Sequence, residues 1–214
     1  MAGPATARSA RENRITRLLD WKDRDKAWFL CLLTVPLHFV YLAWGFISLK
    51  YTDFGHHFMD PAVTRLACLY AFVAILGWAC FAAWGSILRH RDLDSSLFVN
   101  TVILCFGLSQ LPLAYWSGLA GPMTGVILLG ATMTGFVLFG FWRVLIAFFV
   151  NLAVLVLLAF LSARDVLPYA PMFRTDPISQ IYVSSYYTVS QFMLGMPFVT
   201  SAFVICYMLL NRWK

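Results

Sequence analysis

Charge is what this chain has least of, and it is missing from particular places. Only 12% of the 214 residues are Asp, Glu, Lys or Arg, about half the share of a soluble domain. No Asp or Glu lies inside any of its six long apolar stretches, and basic residues enter them only at their ends. Such an interior lacks the ionised groups on which most ion-coupled pumps and intramembrane hydrolases rely. The apolar runs are continuous and do not alternate, which excludes a membrane β-barrel. None of the five cysteines (Cys31, Cys68, Cys80, Cys105, Cys206) has Cys-x-x-Cys spacing, so zinc and redox motifs are absent. All five lie in apolar stretches and read as small buried hydrophobes. The net charge of +6 comes with no pattern for nucleic-acid recognition, and anionic lipid headgroups are its expected partner. The first apolar stretch is too long for a cleavable signal and lacks a small-residue cleavage site.

What is present is apolar and aromatic: 61% hydrophobic, 17% aromatic, with 19 Phe. Runs of about 20 apolar residues are membrane spans, and in lipid they must be helices. The fold class is therefore all-α, a polytopic bundle of six transmembrane helices. The expected spans are Ala27–Leu49, Ala62–Leu88, Leu97–Trp116, Pro122–Phe141, Val144–Leu161 and Ile181–Leu210. Residues 1–26 form a cytoplasmic arm and residues 27–214 the membrane domain. Met1–Arg11, small, Arg-bearing and free of acid, has transit-peptide composition, but the mixed-charge stretch after it suits a cytoplasmic arm. Within the arm, Ile15, Leu18 and Leu19 among Arg14, Arg17, Lys22 and Arg24 predict a short amphipathic helix on the membrane face.

Lys and Arg set the orientation. With the N-terminus inside, the inner side holds Arg8, Arg11, Arg14, Arg17, Lys22, Arg24, Lys26, Arg89, Arg91, Arg143, Arg212 and Lys214. The outer side holds only Lys50, Arg65, Arg164 and Arg174. The positive-inside rule then places both termini in the cytoplasm.

Few side chains here can carry chemistry. His38 is the one titratable group well inside a span, and such a group is a functional candidate; it can equally be a neutral imidazole bonded within the bundle. Tyr51–Asp60 holds two His and two Asp, a loose metal pattern, although adjacent His56 and His57 seldom share one metal. The more economical reading is a polar aqueous loop, and no metal site is expected. No catalytic residue is assigned. Trp44, Gln110, Trp116, Tyr186, Tyr187 and Gln191 join His38 as candidates to bind a small apolar or lipid ligand. Trp78, Trp84 and Tyr115 either line such a cavity or pack the bundle.

Gly121, Gly125 and Gly130 offer small surfaces for helix packing, as do Ala67/Ala71 and Ala79/Ala83. Pro36, Pro112 and Pro197 should bend the first, third and last spans. Gly195, Pro197 and Arg212 make the last span a candidate signal relay. Ser95 or Asp94 should cap the third span, and the outer connection Ser162–Gln180 is apolar enough to fold over the bundle as a cap.

The segment Gly118–Gly130 (GLAGPMTGVILLG), continuing through Gly135–Arg143 (GFVLFGFWR), resembles bacterial membrane-associated sensor (MASE-type) domains. The basic arm, six spans and exit at Asn211–Lys214 are similar in layout. The resemblance implies an inner-membrane regulatory and dimerisation domain preceding a cytoplasmic nucleotide cyclase, adenylate cyclase ahead of diguanylate cyclase. It implies no cofactor in this chain, with ATP and a divalent metal bound only by a cyclase domain expected after residue 214. Two other classes stand beside it: a standalone small transporter or accessory membrane subunit, and a lipid or quinone enzyme using His38 with His56 and His57.

Overall fold

A computed structural model describes residues 21–119, 124, 131–132, 134–136 and 138–174. The described residues form helices α1 (Asp23–Tyr51), α2 (Asp53–Phe58), α3 (Pro61–His90), α4 (Ser96–Leu108), α5 (Leu111–Ser117) and α6 (Phe141–Ala163). There is no strand among them, only an isolated bridge between Met59 and Phe173. Four apolar helical segments are long enough to cross a bilayer: α1, α3, Ser96–Ser117 (α4 with α5) and α6. The first, second, third and fifth expected spans correspond to these. The amphipathic arm helix, most of the fourth span, all of the sixth, and Gly121, Gly125 and Gly130 lie outside the described residues.

The packing is inverted relative to a soluble protein. On α1 the buried positions are Ala27, Leu30, Cys31, Thr34, His38, Tyr41, Gly45 and Ser48, spaced three and four apart along one face. Leu32, Leu33, Phe39, Val40, Phe46 and Ile47 point outward. α3 does the same, burying Thr64, Ala67, Ala71, Trp78, Ala82 and Gly85 while exposing Leu66, Leu69, Phe72, Val73 and Leu76. Small and hydroxylated residues inside with large aliphatics outside is the pattern of helices solvated by lipid. The two helices run antiparallel, since Arg24 at the start of α1 bonds Leu88 near the end of α3. Glycines let them approach. A Cβ on Gly45 would sit 2.7 Å from the Cys68 sulfur, and one on Gly85 would sit 2.7 Å from the Phe98 ring and 2.9 Å from Trp28.

Two expectations about packing are corrected. Ala67 and Ala71 are buried, but Ala79 and Ala83 are exposed, because the seam on α3 continues through Trp78, Ala82 and Gly85. The turn into α6 is Phe139–Gly140, so Phe141–Arg143 begin α6 and do not end the fourth span. Gly135 lies against Val144, and the Phe136 and Phe141 rings stack at 5.3 Å.

Local chemistry ends the helices. Thr52 accepts a bond from the Gly55 N–H (3.0 Å) and opens α2. Asp60 accepts from Ala62 (2.8 Å) and Val63 (3.0 Å) and opens α3, with Pro61 in its first turn. Ser95, and not Asp94, caps α4 by accepting from Phe98. Asp60 is thereby spent on capping, and the His57 ring bonds the Asp53 backbone carbonyl at 2.8 Å.

The end of the bundle where α1 starts and α3 finishes is a charge lattice. Arg24, only 4% exposed, donates to the Leu88 and Leu93 carbonyls (3.3 and 3.1 Å) and to Asp92 (3.1 Å). Lys22 also bonds Asp92 (3.0 Å), Arg89 approaches Asp25 (3.6 Å), and Arg143 bonds Asp23 at 2.6 Å, tying α6 to α1. The hydrogen bonds from Lys22 and Arg24, with their positive charge, hold the Asp92 carboxyl below the usual carboxylate range.

Two predictions follow from the packing and the lattice. Gly85→Leu should lower stability by about 1–3 kcal/mol through overpacking, read from thermal unfolding in detergent. Because the folded-state pKa of Asp92 is depressed, its contribution is complete above the ordinary carboxylate pKa and is lost as pH falls through the folded value. Asp92→Asn should therefore reduce the melting temperature at neutral pH, and its difference from wild type should vanish in acid.

Candidate functional site

The third span breaks at Ser109–Gln110, between α4 and α5. Pro112 has no N–H, so the Leu108 carbonyl loses its helical donor. Pro36, by contrast, leaves α1 unbroken. In lipid each freed polar group needs a new partner. Gln110 turns its N–H to Gly107 (3.0 Å), and the Ser109 hydroxyl donates to the Phe106 carbonyl (3.0 Å). The Gln110 side-chain amide donates to the Ser109 hydroxyl (3.2 Å). Tyr70, on α3, donates its hydroxyl to the Ser109 carbonyl (2.9 Å). The break is thus closed by a few single hydrogen bonds, one of them from another helix.

His38 sits against this break from α1, with no solvent exposure. Its Nδ1 lies 3.0 Å from the Thr34 carbonyl. A carbonyl only accepts, so Nδ1 carries the proton and Nε2 is left as an acceptor. The Ser109 backbone also faces the ring, without a hydrogen bond of good geometry at Nε2. Tyr41 meets the imidazole edge-on at 6.1 Å. His38 Nε2, the Tyr41 hydroxyl, Trp44 Nε1 and Gln110 Oε1 are buried and have no hydrogen-bond partner among the described residues.

Four of the seven ligand candidates therefore gather around one region. His38 and Gln110 flank Ser109, and Trp44 packs with Tyr41, Ala71 and Leu113. Trp116 meets Tyr70 edge-on at 5.4 Å. Tyr186, Tyr187, Gln191, Gly195, Pro197 and Arg212 lie outside the described residues. Trp78 and Trp84 pack against Phe81 and Phe98 at 5.6 and 5.1 Å and belong to the bundle core. Tyr115 clasps the outer connection by donating to the Pro168 carbonyl (3.0 Å).

Below the break, α4 meets α6 through Gly107. A Cβ there would overlap the Asn151 amide at 2.2 Å. Asn151 Nδ2 donates to its own helix at Ala147 (2.7 Å), and its Oδ1 is buried without a partner among the described residues. A cavity of about 50 Å³ opens beside it, bounded by Leu30, Phe106, Leu111 and Gly135. It has room for a few waters.

Sequence reasoning missed Tyr70, whose role depends on which helix faces the break. Asn151 and Ser109 were visible as polar residues in apolar runs. Of the expected cap Ser162–Gln180, the structure describes residues up to Arg174, and these pack on the bundle: Asp60 N–H bonds the Met172 carbonyl (2.8 Å), Met172 N–H bonds the Trp116 carbonyl, and Arg174 N–H bonds the Phe58 carbonyl.

The centre offers hydrogen-bonding groups: among the described residues the buried region around Ser109 contains no carboxylate or amine, and no three His, Cys, Asp or Glu side chains converge. His56 and His57 lie on α2, whose Gly55 packs on Ser48, ten residues or about 15 Å of helix from His38.

Tyr70→Phe should strand the Ser109 carbonyl in an apolar setting and lower stability by about 0.6–2 kcal/mol, measured by thermal unfolding, with Tyr115→Phe at the outer surface as the milder comparison. Comparison of the chain with family models, with curated proteins and with solved structures returned no match.

Proposed function

We propose that this chain is a membrane-embedded regulatory module that binds an uncharged or lipid ligand and controls an output domain joined to its last span. The observation that carries the reading is the uncharged polar centre at the break in the third span. It offers unpaired hydrogen-bonding atoms on His38, Tyr41, Trp44 and Gln110 at a point where the helix is held by single bonds. A ligand that bonds these atoms changes which partners close the break, and a bend has two arrangements to choose between. The absence of acidic groups from the spans weighs against ion-coupled transport.

In this reading the six spans lie in a bacterial inner membrane with both termini cytoplasmic. The grouping of Lys22, Arg24, Arg89 and Arg143 at one end of the bundle supports that orientation through the positive-inside rule. The resemblance to MASE-type domains supports a nucleotide cyclase as output, adenylate cyclase ahead of diguanylate cyclase, working as a homodimer. Signal passes through Gly195 and Pro197 to Arg212.

The experiment is to purify the protein from its native host, measure its intact mass and assay cyclase activity. A mass well above 24.2 kDa with cAMP formation is the expected result. Pro197→Ala and Tyr70→Phe should then each change cyclase output severalfold while membrane insertion is retained. A mass of 24.2 kDa with solute flux in proteoliposomes would replace this reading with a standalone transporter.

A further inference from the structure

The two ends of the bundle treat their cations differently. At the inner end Lys22, Arg24, Lys26, Arg89 and Arg143 lie within 4 Å of a carboxylate, and Arg91 is the exception among the described Lys and Arg residues there. At the outer end Lys50, Arg65 and Arg174 line one cleft of about 490 Å³, with His56 beside them and no Asp or Glu among the described residues of its wall. None of these three cations has an ion-pair partner among the described residues.

The cleft is also built to stay in place. Arg174 is fixed by its N–H to the Phe58 carbonyl (2.9 Å). α2 lies so close to α1 that a Cβ on Gly55 would overlap the Ser48 carbonyl. The Lys50 ammonium rests over the Phe46 and Tyr51 rings at 5.6 and 5.2 Å, which holds it without neutralising it. The remaining wall is apolar, formed by Phe46, Leu49 and Met59. Phe46 and the neighbouring Ile47 are exposed on the lipid-facing side of α1. Three like charges focused in one cleft raise its potential and attract an anion. Arginines prefer phosphate and carboxylate oxygens for their paired N–H groups.

We infer that this cleft binds a phosphate-bearing amphiphile, with the phosphate between Lys50, Arg65 and Arg174 and its chains along Phe46 and Ile47. His56 adds a ring N–H donor at the rim. The inference stands on the outer end alone and does not depend on the output domain or on the polar centre at Ser109.

The test places the full chain in phosphatidylcholine nanodiscs with increasing phosphatidylglycerol and counts retained phosphatidylglycerol by native mass spectrometry. Lys50→Gln, Arg65→Gln and Arg174→Gln should each weaken retention about fivefold, and the triple variant about a hundredfold. Arg65→Lys should keep most of the affinity, which separates loss of charge from loss of fold. Arg164→Gln is the control, since Arg164 carries the same charge at the same end, over the Phe160 ring and outside the cleft. A second arm adds inorganic phosphate or glycerol 3-phosphate. No displacement at millimolar concentration identifies the lipid as the ligand, whereas displacement keeps the phosphate site and assigns it a soluble ligand. Equal losses in Arg164→Gln and the cleft variants, or no preference for phosphatidylglycerol and no phosphate binding, would overturn the proposal.

Discussion

Lipid gives helices no hydrophobic reason to associate, so this bundle depends on close backbone contact along the seam between α1 and α3. Gly45, Gly85, Ala67, Ala71 and Ala82 keep that seam thin. Everything else is positioned by it. α4 reaches α1 because Phe98 fits against Gly85 and Trp28, and α6 reaches α4 because Gly107 leaves room for Asn151. The large side chains that would form the core of a soluble protein face outward.

A thin seam in an apolar solvent makes every polar group accountable. Thr34 returns its hydroxyl to Leu30 (2.7 Å), His38 returns its ring N–H to Thr34, and Asn151 returns its amide to Ala147. These local bonds ask nothing of a neighbouring helix. The break at Ser109 is different, because Tyr70 must cross from α3 to complete it. Geometry and polarity therefore meet at one place, and the unpaired atoms of His38, Tyr41, Trp44 and Gln110 are found around it.

The ends of the bundle follow a second constraint, set by water and headgroups. At one end, the Asp23–Lys26 turn of α1 ties α3, the 92–94 loop and α6 into one lattice. Arg24 is buried there, and its cost is met by two carbonyls as well as carboxylates. At the other end, the ordering contacts are backbone hydrogen bonds between the 58–60, 116 and 172–174 segments. Lys50, Arg65 and Arg174 there have no carboxylate partner among the described residues.

The sequence by itself determined the helical class, because runs of apolar residues in lipid have only one way to satisfy their backbone. It also separated the two ends, since Lys and Arg cluster by side, and it marked His38 and Gln110 as polar exceptions. It misjudged the packing stripe at Ala79/Ala83 and the turn at Phe139–Gly140, and it did not single out Tyr70 or the cleft of Lys50, Arg65 and Arg174. Those features depend on how each helix is rotated and where its neighbour crosses. Small residues recur on more than one face of α3, so spacing alone leaves the seam ambiguous. Only packing against α1 decides that Trp78, Ala82 and Gly85 face inward, that Tyr70 reaches Ser109, and that three distant cations share one cleft.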